Sequence, residues 1–136
     1  MSFFLALCLL FSAFAPAAAD QVELFDSDRE KVVETFENSQ AFQESAVHIL
    51  NSVSGRVMDF APSLQKVLIV KIPLVPPRAL SVPKAGIDDT LTAVFVVIPK
   101  QGVRKPWLIA HTKKEETLLM EFTQELSALR QLIGKR

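Results

Sequence analysis

The sequence predicts a small single α+β domain of order α-β-β-β-α, an antiparallel three-stranded sheet packed by a long N-terminal helix and a C-terminal helix. Three observations carry that expectation. Two Ser/Thr-x-x-Glu patterns, Ser27 to Glu30 and Thr112 to Glu115, each precede apolar residues at three-and-four spacing, the signature of a capped amphipathic helix. Between them lie two β-branched apolar runs, too short for independent helices. At 136 residues the chain fits one domain, and 49% hydrophobic content excludes wholesale disorder. Fifteen Lys+Arg balance fifteen Asp+Glu, which leaves no field to gather polyanions and argues against nucleic acid as a partner.

Residues 1–19 carry no charged side chain, and Phe3 to Ala15 is apolar except for Ser12 before Pro16 and the Ala17-Ala18-Ala19 triplet. The run is too short to span a bilayer and ends in small residues, so it reads as a signal peptide cleaved before Asp20. Residues 20–136 are then the mature domain, without a stable membrane span. The only cysteine, Cys8, leaves with the leader, and a thiol-free exported chain favours a bacterial periplasm over a disulfide-stabilised extracellular setting.

From Ser27 the stripe Val32, Phe36, Ser39, Gln43, Ala46, Leu50, Val53, Val57, Phe60 predicts a long helix, kinked or broken near Ser39, stopping near Ser54 ahead of Gly55 or at the latest at Ala61. Lys66 to Ile72 is the first strand. Pro73, Pro76, Pro77 and Pro83 make 73–89 a stiff Pro-rich connector. Leu91 to Ile98 is expected as the central strand, and Arg104 to His111 returns antiparallel after the Pro99-Lys100-Gln101-Gly102 turn, Pro106 suggesting an edge. A last helix runs from Thr112 through Leu119, Phe122, Leu126, Leu129 and Ile133 to Gly134.

Leu91 to Ile98 places Val94, Val96 and Ile98 on one side and Ala93, Phe95 and Val97 on the other, so both faces of the sheet want cover. If both helices take one face, Ala93, Phe95 and Val97, with Trp107 beside them, form a surface for a protein partner, a second copy or an apolar ligand.

No motif for catalysis, cofactor or metal converges. Glu44 and His48 share a helix face with Glu37 and Gln40, which reads as solvated, and His111 reads as a strand-end residue. Asp88 and Asp89 are neighbours that point apart, and there is no Gly-x-Ser-x-Gly or phosphate-cradling glycine loop. Pro73 to Arg78 has the Pro-x-x-Pro-x-Arg shape of a polyproline ligand but serves better as a rigid spacer. Arg104 and Lys105 beside Trp107, with Lys113 and Lys114, are expected to be solubilising charges. The reading that follows is an exported, non-catalytic binding protein acting through an apolar sheet face. The alternative is a small carrier whose Phe36, Phe42, Phe60, Phe95 and Phe122 line a pocket.

Overall fold

The computed structural model describes residues 20–58 and 62–134. The leader, Cys8, Phe60 and Ala61 therefore lie outside the described residues. Seven strands form one antiparallel sheet: β1 (Val22–Asp26), β2 (Lys31–Phe36), β3 (Val53–Arg56), β4 (Val67–Val82), β5 (Ile87–Pro99), β6 (Trp107–Thr112) and β7 (Thr117–Phe122). Their spatial order is β2-β1-β4-β5-β6-β7-β3. Helix α1 (Gln40–Asn51) joins β2 to β3, and α2 (Ser127–Leu132) follows β7.

This overturns the expected three-stranded sheet with a long N-terminal helix, and the physical reason is the same at both ends of the chain. Ser27-Asp28-Arg29-Glu30 is a hairpin turn. The Arg29 N–H donates to the Asp26 carbonyl, the Glu30 N–H to that of Ser27, and Glu30 takes the left-handed conformation at φ 54°. The Ser27 hydroxyl oxygen accepts from the Val67 N–H on β4, not from a helix start. Thr112 to Glu115 repeats this: the Glu115 N–H donates to the Thr112 carbonyl, Glu115 sits at φ 64°, and strand β7 follows where helix was expected. The serine or threonine that caps a helix also closes a turn. What decides is the ladder partner, β1 for Lys31–Phe36 and β6 for Thr117–Phe122, which in the second case overrides the helix preference of Leu118, Leu119, Met120 and Glu121.

The helix that does form begins where the apolar stripe was interrupted. Ser39 is the N-cap of α1, its hydroxyl oxygen accepting from the Phe42 N–H, and Phe42, Ala46, Ile49 and Leu50 are its buried face. The C-terminal helix shrinks to six residues, although Leu126, Leu129 and Ile133 pack as expected and Gly134 ends it at φ 72°. Gly55, expected to stop a helix, lies within β3.

The central strand is β5, fourth of seven, and β6 returns antiparallel beside it, with Val97 opposite Trp107. Pro106 does not mark an edge, because β7 pairs with β6 on its far side. The Pro-rich segment is not a connector but strand. β4 pairs with β1 only over Leu68–Lys71, so its distal half is open on that side and tolerates missing N–H groups. The ladder with β5 is interrupted between Pro73 and Arg78, and Pro76 and Pro77 fall in that bulge. Gln43 on α1 supplies the missing partners: its Nε2 donates to the Pro73 carbonyl at 2.7 Å, and its Oε1 accepts from the Val75 N–H at 3.2 Å. Asn38 Nδ2 also donates to the Pro73 carbonyl, at 3.0 Å. Beyond the bulge β4 and β5 form an arm, tipped by the 3-10 turn Pro83–Ala85 and left-handed Gly86. Arg56 on β3 donates to the Ala85 and Gly86 carbonyls at 2.8 and 3.0 Å, which pins the tip across the first face.

That face holds α1, α2, the arm and the main core: Val22, Leu24, Val70, Ile72, Val94, Val96, Ile98, Leu108, Met120 and the helical residues above. Both edges are protected. β2 carries a bulge opposite Leu24/Phe25 with Lys31 and Glu34 exposed, and β3 is four residues long with its own bulge.

Replacing Gln43 by Ala removes both of its bonds to β4, leaving the Pro73 carbonyl to Asn38 alone and the exposed Val75 N–H to water, and the expected loss is about 1 kcal/mol of unfolding free energy. Urea titration checks it against Gln40→Ala, whose exposed bond to Glu44 predicts almost no change. Equal midpoints for the two variants would refute the bridging role of Gln43.

Candidate functional site

Register alone builds the second face of the sheet. One row across it reads Val32, Phe25, Ile69, Val97, Trp107, and the next reads Thr35, Glu23, Lys71, Phe95, Ile109, Leu119. A third contains Pro73, Ala93, His111 and Thr117. The separation expected for β5 holds: Val94, Val96 and Ile98 join the core of the first face, while Ala93, Phe95 and Val97 belong to a second cluster with Phe25, Val67, Ile69, Trp107 and Ile109. The four residues singled out from sequence, Ala93, Phe95, Val97 and Trp107, are thus brought together on one face. Each is buried, between 0% and 8% exposed.

Both helices contribute to the first cluster and neither to the second. What packs on the second face, among the described residues, comes from the β3–β4 connection: Val57, whose N–H donates to the Leu119 carbonyl on β7, and Leu64. That connection has to travel from the β3 edge to β4 in the interior, and passing beneath the sheet is the route its contacts record.

An open cleft of about 470 Å³ lies where Pro62, Ser63, Gln65 and Lys66 meet the sheet at Val67, Pro99 and Trp107, with Gln101 and Arg104 of the β5–β6 loop as its other wall. Each wall is fixed locally. Lys66 is left-handed at φ 56°, and its carbonyl accepts from the Lys100 N–H, which ties the mouth to the end of β5. Gly102 at φ 88° turns the loop. Arg104 stands over the Trp107 ring, 5.9 Å from its centroid, and both terminal nitrogens donate to Glu121 at 3.4 Å. Alongside, Lys100 bonds Asp26 at 2.6 Å and Asp28 at 2.7 Å. Partial burial pushes the Asp26 carboxyl upward, but the bond from Lys100 and those from nearby N–H groups outweigh it and hold Asp26 below the usual carboxylate range.

Glu23, in the middle row, is 2% exposed, and its Oε1 has no hydrogen-bond partner. The nearest cation, Lys71 Nζ, is 3.9 Å away. Burial pushes the Glu23 carboxyl above its ordinary range, and the Lys71 charge offsets this only in part.

The remaining sequence candidates do not converge. Phe36 and Phe42 stack at 5.5 Å within the first-face core, where Phe122 also lies, so Phe95 on the opposite face cannot share a pocket with them. Glu44 and His48 are exposed on α1, and Gln40 Nε2 bonds Glu44. Asp88, Asp89, Lys113 and Lys114 border a separate hollow of about 300 Å³ at the far end of β6, so the two basic pairs flank opposite ends of that strand. Among the described residues no three His, Cys, Asp or Glu side chains gather as a metal site, and no helix is long and apolar enough to cross a membrane.

Sequence reasoning missed Pro62, Gln65 and Lys66 as wall residues because nothing local marks a lysine for the left-handed region. The turn at Gln101-Gly102 and Trp107 were the legible part, while Arg104 was expected as a solubilising charge. Fold and site together define a mostly-β, single-sheet protein with helices on one face and an apolar cluster opening into a cleft on the other. No protein-family model, curated protein or solved structure matches the chain.

Glu23 gives a pH test. A carboxyl raised in the folded state contributes stability below its unfolded pKa of about 4.3, and loses it as pH rises through the raised folded value. At pH 7 the ionised group is a cost, so Glu23→Gln should raise the urea midpoint there, by about 1 kcal/mol in unfolding free energy. The gain should shrink toward pH 4. A midpoint difference independent of pH would contradict the assignment.

Proposed function

We propose that the chain from Asp20 onward is an exported, non-catalytic binding protein that takes up apolar groups on the second face of its sheet, through the cleft beside Trp107. The single observation that carries this reading is the division of labour across the sheet. α1, α2 and the β4–β5 arm all pack on the first face, while among the described residues no helical side chain joins the eight-residue second cluster. The open cleft of about 470 Å³ borders that cluster at Val67 and Trp107. Val103, fully exposed between the cleft residues Gln101 and Arg104, adds an apolar side chain at the rim.

Export rests on the uncharged apolar leader ending in Ala17-Ala18-Ala19, with the bacterial periplasm as the favoured compartment. The cleft favours a ligand or a short apolar anchor over a broad partner surface, because Ala93, Phe95 and Val97 are themselves buried. The carrier reading therefore moves from the five phenylalanines to the cleft.

Titration with the uncharged dye Nile red tests the proposal. Expected is saturable binding of one dye per chain at micromolar concentration, and loss of that binding in Ser63→Trp, which fills the mouth from an exposed position without touching the core. Unsaturable binding, or binding unaffected by Ser63→Trp in a chain that melts normally, would refute it.

A further inference from the structure

Among the described residues Glu23 is the one charged residue that is fully buried, and its Oε1 has no hydrogen-bond partner. The Lys71 ammonium, at 3.9 Å, is too far to donate to it, and Lys71 has a further interaction of its own. The rest of the row is uncharged: Thr35 on β2, Phe95 on β5, Ile109 on β6 and Leu119 on β7. Val57 and Leu64, which cover this face from the β3–β4 connection, are apolar. His111 on β6 and Glu121 on β7, titratable groups of the same face, lie three and four strands away in the sheet order. Lys71 is therefore the charged group that faces Glu23 among the described residues.

The pair also ends a ladder. β1 joins β4 through Asp26/Leu68, Phe25/Ile69, Leu24/Val70 and Glu23/Lys71, so Glu23 and Lys71 form the last rung. The opposite end is locked. The Ser27 N–H donates to the Val67 carbonyl at 3.1 Å, the Val67 N–H donates to the Ser27 hydroxyl oxygen at 2.9 Å, and Lys100 bonds both Asp26 and Asp28. At the Glu23 end water is one strand away, because Thr35, its register partner on the edge strand β2, is exposed, and so is Gln21 two residues earlier.

We propose that Glu23 is a proton-operated catch at this corner of the sheet. With the carboxyl neutral, the β1–β4 ladder is closed through its last rung. With the carboxyl ionised, the Glu23/Lys71 rung opens and the carboxylate swings past Thr35 into water, while the turn end stays fixed. Linkage sets the direction: the closed form, in which the group is dry, holds its proton more tightly than the open form, in which it is hydrated, so raising the pH favours opening. Val22 and Leu24 are buried in the first-face core, which confines the movement to the rung. Acidity thus sets how open this corner is, whatever the cleft beside Trp107 binds.

Residue-resolved amide hydrogen exchange of the folded protein, corrected for the intrinsic pH dependence of exchange, tests this from about pH 4.5 to about pH 8, a span that starts at the ordinary carboxyl range. The amides of Glu23, Leu24, Val70 and Lys71 are expected to exchange faster than those of Val96 and Leu108 at the sheet centre, and to lose protection severalfold as the pH rises. Low urea should leave exchange at the rung unchanged while it speeds exchange at the centre, because a local opening exposes little surface. In Glu23→Gln the loss with pH should vanish. Should that variant not fold, the Glu23 carboxyl carbon resonance of the unaltered protein gives the same answer, since it must titrate over the pH range in which protection falls. Rung amides as protected as the sheet centre would mean that Glu23 reaches water only when the whole molecule unfolds, and that result overturns the catch. Protection independent of pH, an equal loss in Glu23→Gln, or a Glu23 resonance that titrates elsewhere overturns it as well.

Discussion

The constraint on which everything else depends is the two-sided apolar character of β5. A strand buried on both sides requires two covering layers, and a chain of this size has limited material for them. It places both helices and the folded-over arm on one face. On the other face the cover among the described residues is Val57 and Leu64 of the β3–β4 connection, and a cleft lies where Pro62, Ser63, Gln65 and Lys66 meet the sheet. The cleft beside Trp107 is thus a consequence of unequal cover.

The arm is the second economy. Prolines within a long strand would ordinarily leave carbonyls and N–H groups unmatched, yet here the bulge turns them toward α1, where Gln43 and Asn38 meet them. Arg56 does the same for the tip. A polar side chain in the middle of an amphipathic helix is therefore no defect in its apolar stripe; it is the contact by which the helix holds an irregular strand.

The strands that could be read from sequence were those with strong local composition: Lys66 to Ile72, Leu91 to Ile98 and the Trp107 strand, with their antiparallel pairing and the alternation of β5. Val22–Asp26 was lost beside the leader, and Lys31–Phe36 was absorbed into a helical count because its bulge places Val33 and Glu34 on the same side, which blurs the period of two. Thr117–Phe122 was lost to a turn that imitates a helix cap. In each case a long-range partner decided the outcome, β1 for β2 and β6 for β7, and single-chain periodicity carries no information about partners. Of the site, the shared face of Ala93, Phe95, Val97 and Trp107 was legible, whereas Arg104 was expected only as a solubilising charge. Lys66 and the β3–β4 connection were not, since what gives them a role is the crossing from one edge of the sheet to its interior.

That crossing and the sheet order bear on how the molecule comes into being. β3 finds its ladder partner only in β7, at the far end of the sequence, and α1 waits for α2 and for strands made after it. A chain emerging from the ribosome can close its local hairpins early, but it has no completed sheet until Phe122 is out. The β3 edge can therefore be laid down only after β7, however early the local hairpins close.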